Sequence, residues 1–272
     1  MTQPADWYAD PSDPSLLRYW DGTAWTGHTA PVPVAADGTA AGPGGIAGIP
    51  ASLANSTLFT EHAEVATTGR ITRQNPAVVK VTIGEPVLVS RGAMIAYQGD
   101  VSFAYQGSGA KKFLKTAFTG EGVRLMRCEG AGELFVARHG HKLHLLELGA
   151  GEGMSVSGRS LLGFDATVSW DVRMISGGMG AAVAGGLFNV ELTGPGTVIL
   201  ATDHPVVLNT SEARTCVDPN AVVAWSAHLP VTTRSSVSAG ALVGRGSGEA
   251  FQLEFGPGGW VIAEPEAAVP TA

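Results

Sequence analysis

Cysteine is nearly missing from this chain: its two examples, Cys128 and Cys216, stand far apart. They supply neither a disulfide framework nor zinc-ligand spacing, and both are expected to stay reduced, as in a cytosolic setting. Positive charge is also short, with 17 Lys and Arg against 24 Asp and Glu and a net charge of −7. Tracking phosphates requires a basic footprint, so no nucleic-acid partner is expected. Long apolar runs are missing too. The uncharged stretch between Asp37 and Glu61 is broken by Pro43, Pro50 and several glycines, and the one between Arg173 and Glu191 carries five glycines. Neither matches the roughly 20 apolar residues that cross a bilayer. Met1-Thr2-Gln3-Pro4-Ala5-Asp6 has neither the basic start nor the apolar run of a signal peptide. A cytoplasmic protein is expected, with peripheral attachment at the inner face of the plasma membrane as an option.

Catalytic spacing is absent as well. Gly153-Met154-Ser155-Val156-Ser157-Gly158 misses the nucleophile elbow, and Ser247 sits in a Gly-Arg-Gly-Ser-Gly run outside a strand-to-helix turn. Gly107-Ser108-Gly109-Ala110-Lys111-Lys112 lacks P-loop spacing. The single metal-like cluster is His139, His141 and Glu147. It approaches the cupin pattern, yet six residues separate Gly132 from His139 and five separate His141 from Glu147. One extra strand residue sends a side chain to the opposite face, so these offsets weaken the match. The cluster also falls where a turn is expected, at a rim. No cofactor and no metal are expected, and a metal-dependent, cupin-like enzyme at these three residues is kept as an alternative.

What the chain does have is a pattern that occurs three times. Gly120 to Ala137, Gly185 to Ala201 and Gly248 to Ala263 share one succession of apolar residues around a Gly-Xaa-Gly. That centre falls at Gly130/Gly132, Gly194/Gly196 and Gly256/Gly258, a period of 64 and then 62 residues. A second element keeps its own spacing: Ala96-Tyr97 with Val101-Ser102-Phe103, Gly163-Phe164 with Val168-Ser169-Trp170, and Ala224-Trp225 with Leu229-Pro230-Val231. From Val78 onward apolar residues alternate with a period of two, as in Val79-Lys80-Val81-Thr82-Ile83 and Thr167 to Val172. The period makes the body all-β, with three similar units in a pseudo-threefold arrangement. Glycine at the Gly-Xaa-Gly is expected to supply the positive φ of a hairpin turn or bulge.

The start of the chain is of another kind. Of six Trp and four Tyr, five lie within residues 7–26. Asp21-Gly22 between Arg18-Tyr19-Trp20 and Thr23-Ala24-Trp25 reads as a tight hairpin. So small a module is ordered by stacking its aromatics, and Trp7, Trp20 and Trp25 are its candidate packing or partner-binding residues. The expected organisation is a module over 5–28, an Ala/Gly/Pro linker over 29–57, the β body over 58–266 (units about 78–145, 146–210 and 211–266), and a tail over 267–272.

Two resemblances fit this organisation. Trp7 to Thr26 resembles a short actinobacterial domain of unknown function with the pattern Trp-Tyr-x-Asp-Pro and Arg-Tyr-Trp-Asp-Gly-x-x-Trp-Thr, which implies recruitment rather than catalysis. Arg91 to Phe103, Gly185 to Phe188, Asp218 to Ser226 and Gly244 to Phe251 resemble the AIM24 family, a TRAP-like group, over about Leu58 to Pro265. That resemblance implies a β fold related to double-stranded β-helices and supplies no catalytic residues. Eukaryotic members are tied to mitochondrial inner-membrane organisation, a role not carried over here because no presequence is visible. RNA binding, by analogy with TRAP, is a further alternative opposed by the acidic charge balance.

Three segments join the matched elements: Ser108 to Thr119, Ser176 to Gly186 and Ser235 to Gly246. They mix glycine with Phe113, Leu114, Met179, Val183, Leu242 and Val243, and the first adds Lys111, Lys112 and Lys115. Pseudo-threefold symmetry would gather them at one end. An apolar surface with a basic edge suits self-association, a protein partner or an anionic membrane. The expected function is a non-enzymatic binding or scaffold protein that forms a homo-oligomer and docks on a membrane surface.

Overall fold

Strands follow the two-residue alternation throughout. The computed structural model describes residues 6–9, 12, 16–31, 48–105, 124–175, 188–235 and 251–265. The chain divides into two bodies, Met1–Ala66 and Thr67–Ala272. In the first, β1 (Asp6–Ala9), β2 (Leu16–Trp20) and β3 (Trp25–Pro31) form an antiparallel sheet in chain order. The expected hairpin is the β2–β3 connection. Asp21 shapes it: one carboxylate oxygen accepts from the Thr23 and Ala24 N–H groups, each at 2.7 Å, and from the Thr23 hydroxyl at 2.8 Å. Two short helices, α1 (Ala51–Ala54) and α2 (Thr57–Glu61), follow. They fall across the expected linker boundary, where the repeat signal is silent.

The second body opens with β4 (Ile71–Asn75) and then repeats one six-strand programme three times. The first unit is β5 (Val78–Ile83), β6 (Val87–Ser90), β7 (Met94–Tyr105) and β8 (Leu125–Val136), with β7 and β8 each doing duty for two strands. The second is β9 (Leu143–Leu148), β10 (Gly153–Ser157), β11 (Leu161–Asp165), β12 (Ser169–Met174), β13 (Phe188–Thr193) and β14 (Gly196–Ala201). The third is β15 (Val206–Asn209), β16 (Thr215–Val217), β17 (Val222–Ser226), β18 (Val231–Ser235), β19 (Phe251–Phe255) and β20 (Trp260–Ala263). The second and third units thus start at β9 and β15, a few residues before the expected cuts, because those strands pair within their own units as β5 does.

Every unit uses the same antiparallel pairings. The sixth strand lies between the first and third, as β14 lies between β9 and β11 and β20 between β15 and β17. The fifth lies between the second and fourth, as β13 lies between β10 and β12 and β19 between β16 and β18. β8 does both, with β7 along one edge and β6 and β5 along the other. Units are joined by one further pairing, the second strand of one with the third strand of the next: β6 with β11, and β10 with β17.

The Gly-Xaa-Gly supplies the expected positive φ, but in the first unit it makes no hairpin. In the first unit it sits inside the unbroken β8, where the strand passes from the partners of its first half to those of its second. Gly130 and Gly132 have φ of 123° and 157°, and a Cβ there would run into the Asp100 and Gln98 carbonyls. Glycine is needed at this crossing for close approach of β7. Thr167 and Val168 also fall outside β12, in the turn that Val168 N–H closes on the Asp165 carbonyl.

Three apolar clusters form the core. One centres on Val79, Val81, Leu134 and Val136 of the first unit, and a second on Met154, Phe164 and Leu192 of the second. The third is built of Val217, Trp225, Leu253, Phe255 and Val261 of the last unit. Lys80, which lies between Val79 and Val81 in β5 and is also buried, has Glu133 3.0 Å from its ammonium.

Candidate functional site

The His-rich segment serves as a clasp between units. His139 stands at φ 45° in a turn closed by His141 N–H on the Arg138 carbonyl. His141 Nδ1 meets Asp203 Oδ2 at 2.6 Å, and the Lys142 N–H donates to Asp203 Oδ1 at 2.7 Å. The Lys142 N–H, followed by the His141 ring, holds the Asp203 carboxyl below its ordinary range. His144 Nε2 lies 3.0 Å from the Thr202 carbonyl, and Glu147 accepts from the Thr197 hydroxyl at 2.9 Å. Glu264 takes the Asp203 N–H at 3.0 Å and also the Thr202 hydroxyl. Arg138 donates to the Arg159 carbonyl, and Arg159 to the Asn220 carbonyl at 2.7 Å. A cavity of about 130 Å³ lies here, with Arg138, His141, Arg159 and Glu264 among its walls, where the three units meet. His139, His141 and Glu147 are not brought together, and among the described residues no group of three or more His, Cys, Asp or Glu could hold a metal ion.

In the N-terminal body the aromatics gather. The Trp20 and Trp25 rings meet edge to face with centroids 5.3 Å apart, and Tyr8 meets Trp25 at 6.2 Å. Trp25 stays exposed, and the Trp7 backbone pairs with Tyr19. Lys111, Lys112, Phe113, Leu114, Lys115, Met179, Val183, Leu242 and Val243 lie outside the described residues. In the chain their segments lie between the fourth and fifth strands of each unit, after the pairs Tyr105 with Met126, Met174 with Phe188 and Ser235 with Phe251.

The repeat singles out one strand. The third-strand position is fully buried as Phe164 in β11 (0% exposed) and nearly so as Trp225 in β17 (4%), but its equivalent in β7, Tyr97, is 49% exposed. A bulge recurs two residues earlier in all three: between Met94 and Ala96, Leu161 and Gly163, and Val222 and Ala224. Its extra residue is Leu162 (0% exposed), Val223 (1%) or Ile95 (57%). In β7 every residue from Met94 to Asp100 is exposed. The cause is a missing neighbour: β11 and β17 each have a second strand of the preceding unit alongside, whereas among the described residues β7 pairs with β8 alone. The matching edge belongs to β16, which among the described residues pairs with β19 alone. Val206 and Val207 of β15, at the edge of the six-stranded sheet, are exposed as well.

Neither the clasp nor the bare strand was legible as such. Asp203 and Glu264 lie 62 and 123 residues beyond His141 in the chain, and nothing local marks them as its neighbours. The apolar Met94-Ile95-Ala96-Tyr97 reads as core, and only the pairing reveals it as an edge.

These features define a class: a β protein of three sheet-sharing units, with a strand edge at each end of the series that is unpaired among the described residues, and an aromatic hairpin module. The family model for "Mitochondrial biogenesis AIM24" matches residues 70–265, and the chain belongs to the AIM24 family. A second model, for a protein of unknown function (DUF2510), matches residues 5–38. No curated protein matches the chain. Among solved structures, protein SPYM3_0169 from Streptococcus pyogenes superimposes with a TM-score of 0.55 at 20% identity, over 72% of this chain and 91% of that one. This likeness supports the fold.

Proposed function

We propose that this chain is a non-enzymatic scaffold that self-associates through its β body and carries the aromatic module for recruitment. The observation that carries the reading is the contrast within the repeat: Tyr97 and Ile95 are exposed where Phe164, Trp225, Leu162 and Val223 are buried. Apolar side chains along an unpaired strand are a ready template for another chain. The polar groups of His141, His144 and Glu147 are engaged in hydrogen bonds to Asp203, Thr202 and Thr197, which favours structure over metal chemistry. Sedimentation velocity of the full chain over a wide concentration range tests this: a mass of several protomers is expected, and a monomer at every concentration would overturn it. Stoichiometric zinc or iron in the purified protein, lost on His141→Ala, would favour the cupin-like enzyme instead.

A second reading is docking on an anionic membrane. Among the described residues no helix is long and apolar enough to cross a membrane. The reading is favoured by the common place of the three Gly-rich segments in the chain, each between the fourth and fifth strands of its unit, one of them carrying Lys111, Lys112 and Lys115. Co-sedimentation with anionic and neutral vesicles tests it. Binding to anionic vesicles that Phe113→Asp/Leu242→Asp abolishes is expected, and no binding by the wild type would refute it.

A further inference from the structure

We propose that copies of this chain join head to tail, β16 of one copy pairing with the Met94–Gln98 half of β7 in the next; the inference rests on the self-association reading and names its surface. The template is already built twice inside the chain. In the first join Val89, Leu88 and Val87 stand opposite Gly163, Phe164 and Asp165. In the second Val156, Ser155 and Met154 stand opposite Ala224, Trp225 and Ser226. The fifth strands fix which residues of β16 correspond. Val87 faces Cys128, Met154 faces Leu192 and Thr215 faces Phe255, while Phe103, Trp170 and Val231 pair with those same three residues. Thr215, Cys216 and Val217 therefore stand for Val87, Leu88 and Val89. The third join then sets Ala96 opposite Val217, Tyr97 opposite Cys216 and Gln98 opposite Thr215.

The bulge residues say where the join must come from. Leu162, of the second unit, is buried in the cluster built mainly by the first unit, and Val223, of the third, in the cluster built mainly by the second. Each unit thus plugs the core of the unit before it. Ile95 belongs to the first unit, which has no unit before it in the chain. The remaining core is that of the third unit, around Val217, Trp225 and Phe255, and among the described residues it contains none of the first. The first unit's cluster likewise contains, among the described residues, none of the third. A second copy supplies the missing neighbour, with Ile95 entering its third-unit core beside Val217. Such a contact is heterologous and propagates into a ring or an open filament.

The test uses the full chain. Wild type, Ile95→Lys and Tyr97→Cys are compared by sedimentation velocity, with circular dichroism to check the fold. Tyr97→Cys is also oxidised mildly and run on a non-reducing gel, with Tyr97→Cys/Cys216→Ser as control. Directly opposed residues of an antiparallel pair have Cα atoms within disulfide reach. Expected are association of the wild type, weakening by roughly tenfold or more in Ile95→Lys because an ammonium would enter an apolar core, and a disulfide between copies that needs Cys216. Undiminished association of Ile95→Lys, or an associated Tyr97→Cys that forms no disulfide, overturns the join and leaves self-association standing. A disulfide confined to single chains shows that the third unit closes on its own first unit, and also overturns it. A monomeric wild type removes both readings.

Discussion

Phe164→Ala and Tyr97→Ala delete rings at the same position of the repeat, and the structure assigns them very different costs. Phe164 is wholly buried, with the Trp170 ring centroid 6.3 Å away. A buried ring removes about 150–250 Å² from water, worth roughly 4–6 kcal/mol at about 25 cal/mol per Å². Large-to-small Phe changes in cores cost about 3–5 kcal/mol. That is the expected loss for Phe164→Ala. Tyr97 hides about half of its surface and meets Phe103 edge to face at 5.2 Å. Halving the area, and allowing for partial burial in the unfolded chain, leaves about 1–2 kcal/mol. Urea unfolding followed by circular dichroism measures both, at concentrations where sedimentation shows only monomer. At higher concentration the Tyr97→Ala deficit should grow, because association stabilises the wild type by mass action and the variant less. Equal losses for the two variants in the monomer would show that Tyr97 is covered within its own chain, and the exposure argument would fall.

Three further outcomes are expected. Glu133→Ala removes the carboxylate 3.0 Å from the buried Lys80 ammonium and should destabilise the β body by about 1–3 kcal/mol in urea titration, the worth of a hydrogen bond to a charged group and above the usual exposed ion pair. Asp203 has its carboxyl pKa lowered in the folded chain, so its contribution is full above the unfolded carboxylate value of about 3.9 and is lost as pH falls through the lower folded value; Asp203→Asn should lose stability at neutral pH and flatten that acid limb of a thermal-melt series. Cys128 is buried, which pushes its thiol up to about 11, while Cys216 is exposed; a maleimide at mildly alkaline pH should label one thiol quickly and the other only in denaturant, with Cys216 slowing as protein concentration rises.

The three-unit β body could be read from the chain because its signals are local. Alternating Val79-Lys80-Val81-Thr82-Ile83 becomes β5, and the recurring Gly-Xaa-Gly marks the place where β8 changes partners and where β13 passes to β14 and β19 to β20. The Asp21-Gly22 hairpin was equally legible, since its carboxylate bonds reach two and three residues along. What the chain hid depends on long-range pairing. Gly130 and Gly132 look like turn residues, yet Asp100 and Gln98 across the ladder require them. His139, His141 and Glu147 look like ligands, and only the fold shows His141 held by Asp203 and Glu147 by Thr197. Repeat alignment gives Tyr97, Phe164 and Trp225 the same sequence role. Burial parts them, because burial belongs to the neighbouring strand.

A repeat that covers itself by lending a strand to its neighbour must end somewhere, and the usual end is a polar cap. The outer edge of β5 has such an addition, since β4 pairs along it and ends in the polar run Thr72-Arg73-Gln74-Asn75. The free half of β7 is built otherwise. Met94-Ile95-Ala96-Tyr97-Gln98 carries no Lys, Asp, Glu or Pro, the residues with which proteins blunt an exposed edge. Its bulge, which re-aims Leu162 and Val223 into neighbouring cores, is kept intact at Ile95. Burying Ile95 fully on association would remove its remaining apolar surface from water, worth about 1–2 kcal/mol at one residue alone. Tyr97 adds its exposed half, and both gains vanish if the edge stays bare. A terminal strand that retains the bulge and apolar side chains of an interior one is dressed for a neighbour, and the matching edge, unpaired among the described residues, is that of β16.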